Sequence, residues 1–337
     1  MALSLSAHEA NVEQYIQAGK TDKAIELLCQ LAIASAKKGL FQKSEAYRDR
    51  LYEVDSMALS RIVAVNEVIE KQKSRRMPPD YRKLWASFFE KLSEEEANAF
   101  FFSLKKAEID SERIILRQGK PNDRLFLVRQ GQLKAVYMDR EKELLLRKLD
   151  SGDIFGEETF FSVNVCTATI KTLTSVRLSY IKYADLQQLE KKHEALGANL
   201  EKICATGQSL ADVIRQKGID RRSFKRYNLH CKVWFQLLET DNPKALNRSV
   251  AAELWDISKR GLSFYFQSKN REAVRNLIGR PLGVKFTLNI DGENKTITTT
   301  GVVQGVDSHP LEEYSLHLQL NRPFSDEAMK TIASLAT

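Results

Sequence analysis

After Tyr227 the chain carries a succession of short runs rich in β-branched and aromatic residues: YNLHCKVWFQLL, GLSFYFQ, LGVKFTLNI, KTITTTGVVQGV and YSLHLQL. Turn-forming residues separate them. Runs of this length, with apolar residues alternating and Gly or Asn/Asp between them, specify an antiparallel sheet and exclude a helical domain. With the DISKRG segment the pattern predicts six strands, closed by a helix at SDEAMKTIASLA.

The remaining sequence is organised differently. At 337 residues the chain exceeds one ordinary core, so two or three domains are expected. Up to about Ser74 the apolar residues recur at helical spacing, through Ala24, Leu27, Leu28, Leu31 and Ala32 and again through Leu59, Ile62, Val63, Val65 and Ile69. Each of the stretches QAGKTDKAIELL and KKGLFQKSEAY places a glycine five residues before a small residue. In this they loosely resemble tetratricopeptide repeats, which implies a helical region for docking a protein partner; plain helical packing explains them equally well. The basic run KQKSRRMPPD, residues 71–80, reads as a linker. From Leu186 to Ile214 a three-four spacing through Leu189, His193, Leu196, Leu200, Ile203, Gly207 and Leu210 predicts one long helix. Its seam suits either a homodimer through 186–214 or packing on its own domain.

Composition narrows the function classes. Hydrophobic residues make up 43% and charged residues 28%, the balance of a globular chain. No apolar run approaches the roughly 20 residues of a membrane span, and the N-terminus lacks a basic signal region, so a cytoplasmic protein without membrane attachment is expected. Cys29, Cys166, Cys204 and Cys231 are scattered without ligand spacing, which predicts reduced thiols and no metal. Glu157 and Glu158 have no nucleophile or metal cluster beside them. His8, His193, His230, His309 and His317 are dispersed, so no catalytic residue and no cofactor are expected. The net charge of +8 favours an anionic partner.

Two constellations carry the ligand chemistry. Between Tyr81 and Tyr183, short β-type runs broken at Gly119-Lys120-Pro121-Asn122 and Gly131 lead to Phe155-Gly156-Glu157, and then to Cys166-Thr167-Ala168-Thr169. This stretch resembles the cyclic nucleotide-binding domain of catabolite activators and protein-kinase regulatory subunits, which implies a jelly-roll β-barrel over 80–182 followed by a long helix over 183–217. The resemblance makes Gly156, Glu157, Cys166 and Thr167 the residues of the nucleotide pocket. In the family an Arg neutralises the cyclic phosphate where this chain has Cys166, and no Arg or Lys occurs from Gly156 through Ile170. A buried phosphate without a cation is costly, so tight binding of cAMP or cGMP is not expected.

The second constellation lies where basic residues concentrate, Arg215, Lys217, Arg221, Arg222, Lys225 and Arg226. Arg222 and Arg226 form an RxxxR spacing just before the first C-terminal strand. Thirty residues after Arg226, Asp256, Ser258 and Gly261 complete a [D/N]xSxxG pattern. In a six-stranded context the pair resembles the PilZ domain, a bacterial second-messenger module, over 218–337. That resemblance implies a cyclic di-GMP receptor and effector, with Arg221, Arg222, Arg226, Asp256, Ser258 and Gly261 around the ligand. Guanidinium groups bind phosphate through paired charge-assisted bonds and also pair with guanine O6 and N7, and Asp256 suits the guanine N–H edge. YSLHLQL departs from the family in lacking a late-strand glycine. The alternative is a non-catalytic scaffold in which both β domains bind proteins. No helix-turn-helix follows the middle region, so sequence-specific DNA binding is not expected. The expected whole is a multidomain α+β chain: helices over 1–75, then the two β-barrels joined by the long helix.

Overall fold

The computed structural model describes residues 5–139, 142–207, 209–217, 224–238, 249–290 and 292–336. It divides into two compact units. One holds residues 1–104 with 186–199; the other holds 105–185 with 200–337.

The first unit is helical: α1 (Leu5–Gln17), α2 (Thr21–Lys38), α3 (Phe41–Val54), α4 (Leu59–Arg76), α5 (Pro79–Leu84), α6 (Ala86–Phe89) and α7 (Glu94–Ser103). One stripe of α2, from Ala24 and Ile25 through Leu28, Leu31 and Ala32 to Ser35 and Ala36, is buried, as the period of its apolar residues requires. The helix ends on Gly39 in the left-handed region, φ 79°, whose N–H reaches the Ala36 carbonyl. Ser44 Oγ donates to the Ala32 carbonyl at 2.6 Å, so small residues let α2 and α3 approach closely. The expected linker at 71–80 is not one. Residues 71–76 complete α4, and Lys73 is buried between Glu70 and Glu45, with Nζ–Oε1 2.7 Å to Glu70. A basic last turn suits the helix dipole, and the paired carboxylates allow the lysine inside. The first compact unit therefore runs on to Leu104 rather than ending near residue 75.

The second unit begins with β1 (Lys105–Ile109), β2 (Ile114–Leu116), β3 (Arg124–Gln130), β4 (Leu133–Asp139), β5 (Lys142–Leu149) and β6 (Ile154–Phe155). The one-turn α8 (Glu157–Phe160), β7 (Val163–Asn164), β8 (Thr169–Thr172) and β9 (Val176–Lys182) follow. Two four-stranded sheets, β1-β9-β3-β6 and β2-β8-β4-β5, share one core of Phe126, Val128, Leu133, Leu149, Ile170 and Leu178. This is the expected jelly roll.

The single long helix expected over 183–217 is replaced by three short ones, α9 (Tyr183–Glu190), α10 (Leu196–Cys204) and α11 (Leu210–Gln216). Breaks fall at the polar Lys191–Ala195 stretch and beyond Cys204, before Ser209, whose Oγ accepts from Asp212 N and starts a new helix. Leu186, Leu196, Leu200 and Ile214 are each at most 1% exposed within the chain itself. Among the described residues, the spacing over 186–214 is divided among these three helices.

The C-terminal strands are β10 (Arg226–Leu237), β11 (Val250–Ser258), β12 (Gly261–Gln267), β13 (Pro281–Ile290), β14 (Glu293–Ser308) and β15 (Glu313–Leu320). With them come α12 (Arg271–Arg275) and α13 (Asp326–Leu335). They pair in the order β13-β10-β11-β12-β15-β14, and β14 pairs again with β13, so the six-stranded sheet closes on itself. Closure is possible because β14 is long: its first part pairs with β13 and its last part with β15. The core holds Val233, Leu254, Ile257, Phe264, Phe286, Val303 and Leu316, and Ile332 of α13 packs against it.

Candidate functional site

The [D/N]xSxxG pattern is one piece of local geometry. Asp256 and Ser258 end β11, Lys259 and Arg260 make a two-residue turn, and Gly261 opens β12 opposite Ser258. Ser258 Oγ donates to the Gly261 carbonyl at 3.3 Å. A Cβ on Gly261 would stand 3.2 Å from the Leu318 carbonyl and 3.3 Å from Ser258 Oγ, so the position is tight for any side chain. The turn is pinned from outside, since Leu320 N donates to the Arg260 carbonyl and Phe324 N to that of Lys259, both at 2.9 Å.

Arg226, first residue of β10, stands opposite Ser258, and Asn228 stands opposite Asp256. Arg226 Nη1 donates to both oxygens of Asp256, at 3.1 and 3.0 Å. One nitrogen therefore bridges the carboxylate, in place of the two-nitrogen fork that makes such pairs strong. The Arg226 side chain is 38% exposed and that of Asp256 13%. The carboxylate is buried and the guanidinium half-exposed, so the pair stands between a surface ion pair and an interior one, and the guanidinium can turn to a ligand from the solvent side. The strands carry bulges between Asn228 and Cys231 and between Leu254 and Asp256, the irregularities that re-aim side chains beside binding sites. Of the sequence-derived residues, Arg226, Asp256, Ser258 and Gly261 come together here. Arg221 and Arg222 lie outside the described residues.

Sequence reasoning missed the surroundings. Trp255, 44% exposed, lies edge-on to Tyr265 (5.4 Å between ring centroids) and to His230 (4.9 Å). Phe224 sits beside the cations of Lys259 and Arg260, at 5.8 and 5.7 Å. His317 Nε2 is 2.9 Å from Asp307 Oδ2, and that bond holds the Asp307 carboxyl below its usual range. The aromatics beside Arg226 and Asp256, Tyr227 and Trp255, were legible; the bulge at Trp255 was not.

In the jelly roll, Gly156 adopts φ 90° at the entrance to α8, and a Cβ there would crowd the Arg124 carbonyl. Asn122 Nδ2 ties the turn together, donating to the Arg124 carbonyl at 2.7 Å and to Thr159 Oγ1 at 3.0 Å. Gly156, Glu157, Cys166 and Thr167 line one cavity with Leu116, Ala168, Ile170 and Leu210. The space left in it is about 20 Å³, room for roughly one water. The Glu157 carboxyl is pushed up to about 7. Burial is the main cause, helped by the neighbouring Glu158, and the Glu157 N–H and Arg147 oppose it without prevailing. Thr167 Oγ1 donates to Glu158 Oε2 at 2.7 Å. Burial raises the Cys166 thiol to about 11, so it stays protonated and neutral. Among the described residues no group of three or more His, Cys, Asp or Glu is placed to hold a metal, and no helix is long and apolar enough to cross a membrane.

Residues 107–193 match the family model described as the cyclic nucleotide-binding domain. This part of the chain is a cyclic nucleotide-binding domain. Over 117 residues the chain is 32% identical to the cGMP-dependent protein kinase egl-4 of Caenorhabditis briggsae and to that of Caenorhabditis elegans, covering 32% of this chain and 16% and 15% of those. It is 25% identical over 120 residues to a cyclic nucleotide-gated potassium channel of Mesorhizobium japonicum, 36% of this chain and 28% of that one. The chain thus spans less than a third of each of these relatives. Among solved structures, a cyclic nucleotide-binding domain from Methylobacillus flagellatus is similar at 18% identity and TM-score 0.35, over 42% of this chain and 82% of that one. The catabolite activator protein of Thermus thermophilus is similar at 20% identity and TM-score 0.32, over 40% of this chain and 60% of that one.

Within the cyclic nucleotide-binding domain the cavity departs from what an anion needs. Cys166 is 5% exposed and uncharged, and Glu157 and Glu158 supply two carboxyls with no basic side chain between Gly156 and Ile170. A phosphate among them would face these carboxyls, and the guanidinium that acts on Glu157 is that of Arg147, from β5.

Proposed function

We propose that this protein is a cytoplasmic, non-catalytic receptor for cyclic di-GMP, bound at a PilZ-like C-terminal domain and transmitted through the cyclic nucleotide-binding domain. The observation that carries this reading is the gathering of Arg226, Asp256, Ser258 and Gly261 at one corner of a closed six-stranded sheet. The Arg226–Asp256 pair offers both halves of the recognition: a half-exposed guanidinium for phosphate or the guanine O6/N7 edge, and a carboxylate for the guanine N1–H and N2–H₂. Arg222, with Arg221 before it, supplies further cations by the RxxxR resemblance. The N-terminal helices serve in this reading as the surface for a protein partner.

Calorimetry with cyclic di-GMP tests it. Asp256→Ala and Arg222→Ala are each expected to weaken binding about tenfold or more, since one guanine or phosphate pairing contributes roughly 1–3 kcal/mol. Unchanged affinity in both variants removes the site. No binding by the unaltered protein would leave a protein-binding scaffold.

The family match favours a second reading, a response to cyclic mononucleotides at the middle domain. The nearly filled cavity and the lack of any Arg or Lys from Gly156 through Ile170 weigh against it. Thermal scans with cAMP and cGMP separate the two, because a ligand that binds only the folded state raises its melting temperature.

A further inference from the structure

The cavity of the cyclic nucleotide-binding domain is small for an identifiable reason: the chain fills it. Val213 and Ile214 of α11 are 9% and 1% exposed, and they belong to the same apolar cluster as Leu116, Leu146, Cys166, Ala168 and Ile170. Leu210, at the start of α11, lines what space is left. Small-ligand sites run to about 300 Å³ and above, so α11 and a nucleotide cannot share this one. An apolar helix also suits the wall it meets, which has acquired a neutral thiol where a phosphate would demand a cation.

Two features make that occupancy conditional. With seven residues, α11 is far below the length at which a helix holds itself together, so its structure depends on what it packs against. Only nine residues separate Gln216, its last, from Arg226, which opens β10 and bridges Asp256. A ligand seated at the Arg226–Asp256 corner therefore acts within nine residues of the helix.

We propose that α11 is a displaceable stopper of the nucleotide cavity, withdrawn when a cyclic dinucleotide occupies the Arg226–Asp256 corner. The trigger rests on the receptor reading given above; the stopper rests on the packing of α11. Messenger binding at one domain then opens the cavity of another, and the cyclic nucleotide-binding domain acts as a reporter whose native ligand is a segment of its own chain.

Cys166 provides the readout, because it lies in the wall that α11 covers. The full-length protein is treated with a thiol reagent, with and without cyclic di-GMP, and modification of each cysteine is followed by peptide mass spectrometry. Cyclic di-GMP is expected to raise the rate at Cys166 by roughly tenfold or more, as local opening of a protected site does, with Cys29 in the N-terminal helices unchanged. Ile214→Ser is expected to give the same rise without the messenger, and an unchanged Cys29 rate shows that the rest of the chain is still folded. Calorimetry on the same samples separates the outcomes. If cyclic di-GMP binds and Cys166 stays protected, the stopper is permanent and this inference falls while the receptor reading stands. If Ile214→Ser leaves Cys166 protected, α11 does not close the cavity. If no binding heat is seen, the receptor reading falls and takes the trigger with it.

Discussion

Asn164 of β7 stands directly opposite Gly305 of β14, so a two-residue strand of the cyclic nucleotide-binding domain is paired onto the edge of the C-terminal sheet. The pairing ends a transverse row of register partners that runs Asn228, Asp256, Ser263, His317, Gly305 and Asn164. Six strands at the usual spacing make that row about 24 Å long. It connects the Arg226–Asp256 corner to the segment between α8 and Cys166. The same segment is held a second time by Arg275, whose Nη2 donates to the Phe160 carbonyl at 2.9 Å while its guanidinium lies 3.5 Å from the centre of the Tyr183 ring.

At Gly305 a Cβ would meet Asn164 Oδ1, the end of a side chain that can turn aside, and no backbone atom. Gly305→Ala is therefore expected to move the Asn164 side chain and keep the backbone pairing, including the neighbouring bond from Val165 N to the Gln304 carbonyl. Its cost should stay within about 1 kcal/mol, less than the loss of the two or three backbone bonds of the pairing. Denaturant titration reads the cost, and unchanged amide exchange at Val165 shows that the pairing is kept.

The Arg226–Asp256 pair is expected to matter for ligand and little for folding. Asp256→Asn keeps the shape and removes the charge. Its cost in stability should stay near about 1–2 kcal/mol, because the Arg226 guanidinium left without its carboxylate is 38% exposed and can turn to water. Its effect on cyclic di-GMP affinity should be about tenfold or more if the carboxylate receives the guanine edge. Equal and large losses in both, by denaturation and calorimetry, would make the pair a structural one.

Glu157 should make stability depend on pH. Its carboxyl titrates near 7 in the folded chain and near 4.5 when unfolded, so between those values the folded state binds more protons. The stabilisation is present at low pH and is lost as pH rises through 7. Because the residue is half-buried, the change is on the order of 1–3 kcal/mol. Glu157→Gln should flatten the profile and leave the variant more stable than the parent at pH 8, measured by urea titration at pH 5 and pH 8.

Restoring the missing cation should not restore binding. Cys166→Arg would put a long charged side chain where about 20 Å³ is free. Overpacking typically costs about 1–3 kcal/mol, and a buried unpaired charge adds to that. A lowered melting temperature and no heat with cAMP are expected. Tight cAMP binding by this single variant would mean that α11 gives way readily.

Much of the architecture was legible because it is written in local pattern. The alternation in GLSFYF and LGVKFTLNI specified strands, and the helical stripe from Ala24 to Ala32 specified α2. The DISKRG motif was located by its [D/N]xSxxG spacing and its resemblance to the PilZ pattern, and the structure makes it the two-residue turn between β11 and β12. The errors arose where a local pattern had two tertiary solutions. The three-four spacing from Leu186 to Ile214 fits one long helix as well as it fits three short helices buried against different neighbours. The run KQKSRR reads as a linker until Glu45, twenty-eight residues before Lys73, is found beside it.

By itself the sequence determined the order of helical and β-rich regions, the Arg222–Arg226 and Asp256–Ser258–Gly261 spacings, and the lack of Arg and Lys from Gly156 through Ile170. Each depends only on residue type and short separation along the chain. Only the tertiary structure decided that Arg226 rests on Asp256, that β7 joins the C-terminal sheet through Gly305, and that α11 packs into the jelly-roll core. Those contacts join residues far apart in sequence, and packing chooses among the many pairings that local propensity leaves equal.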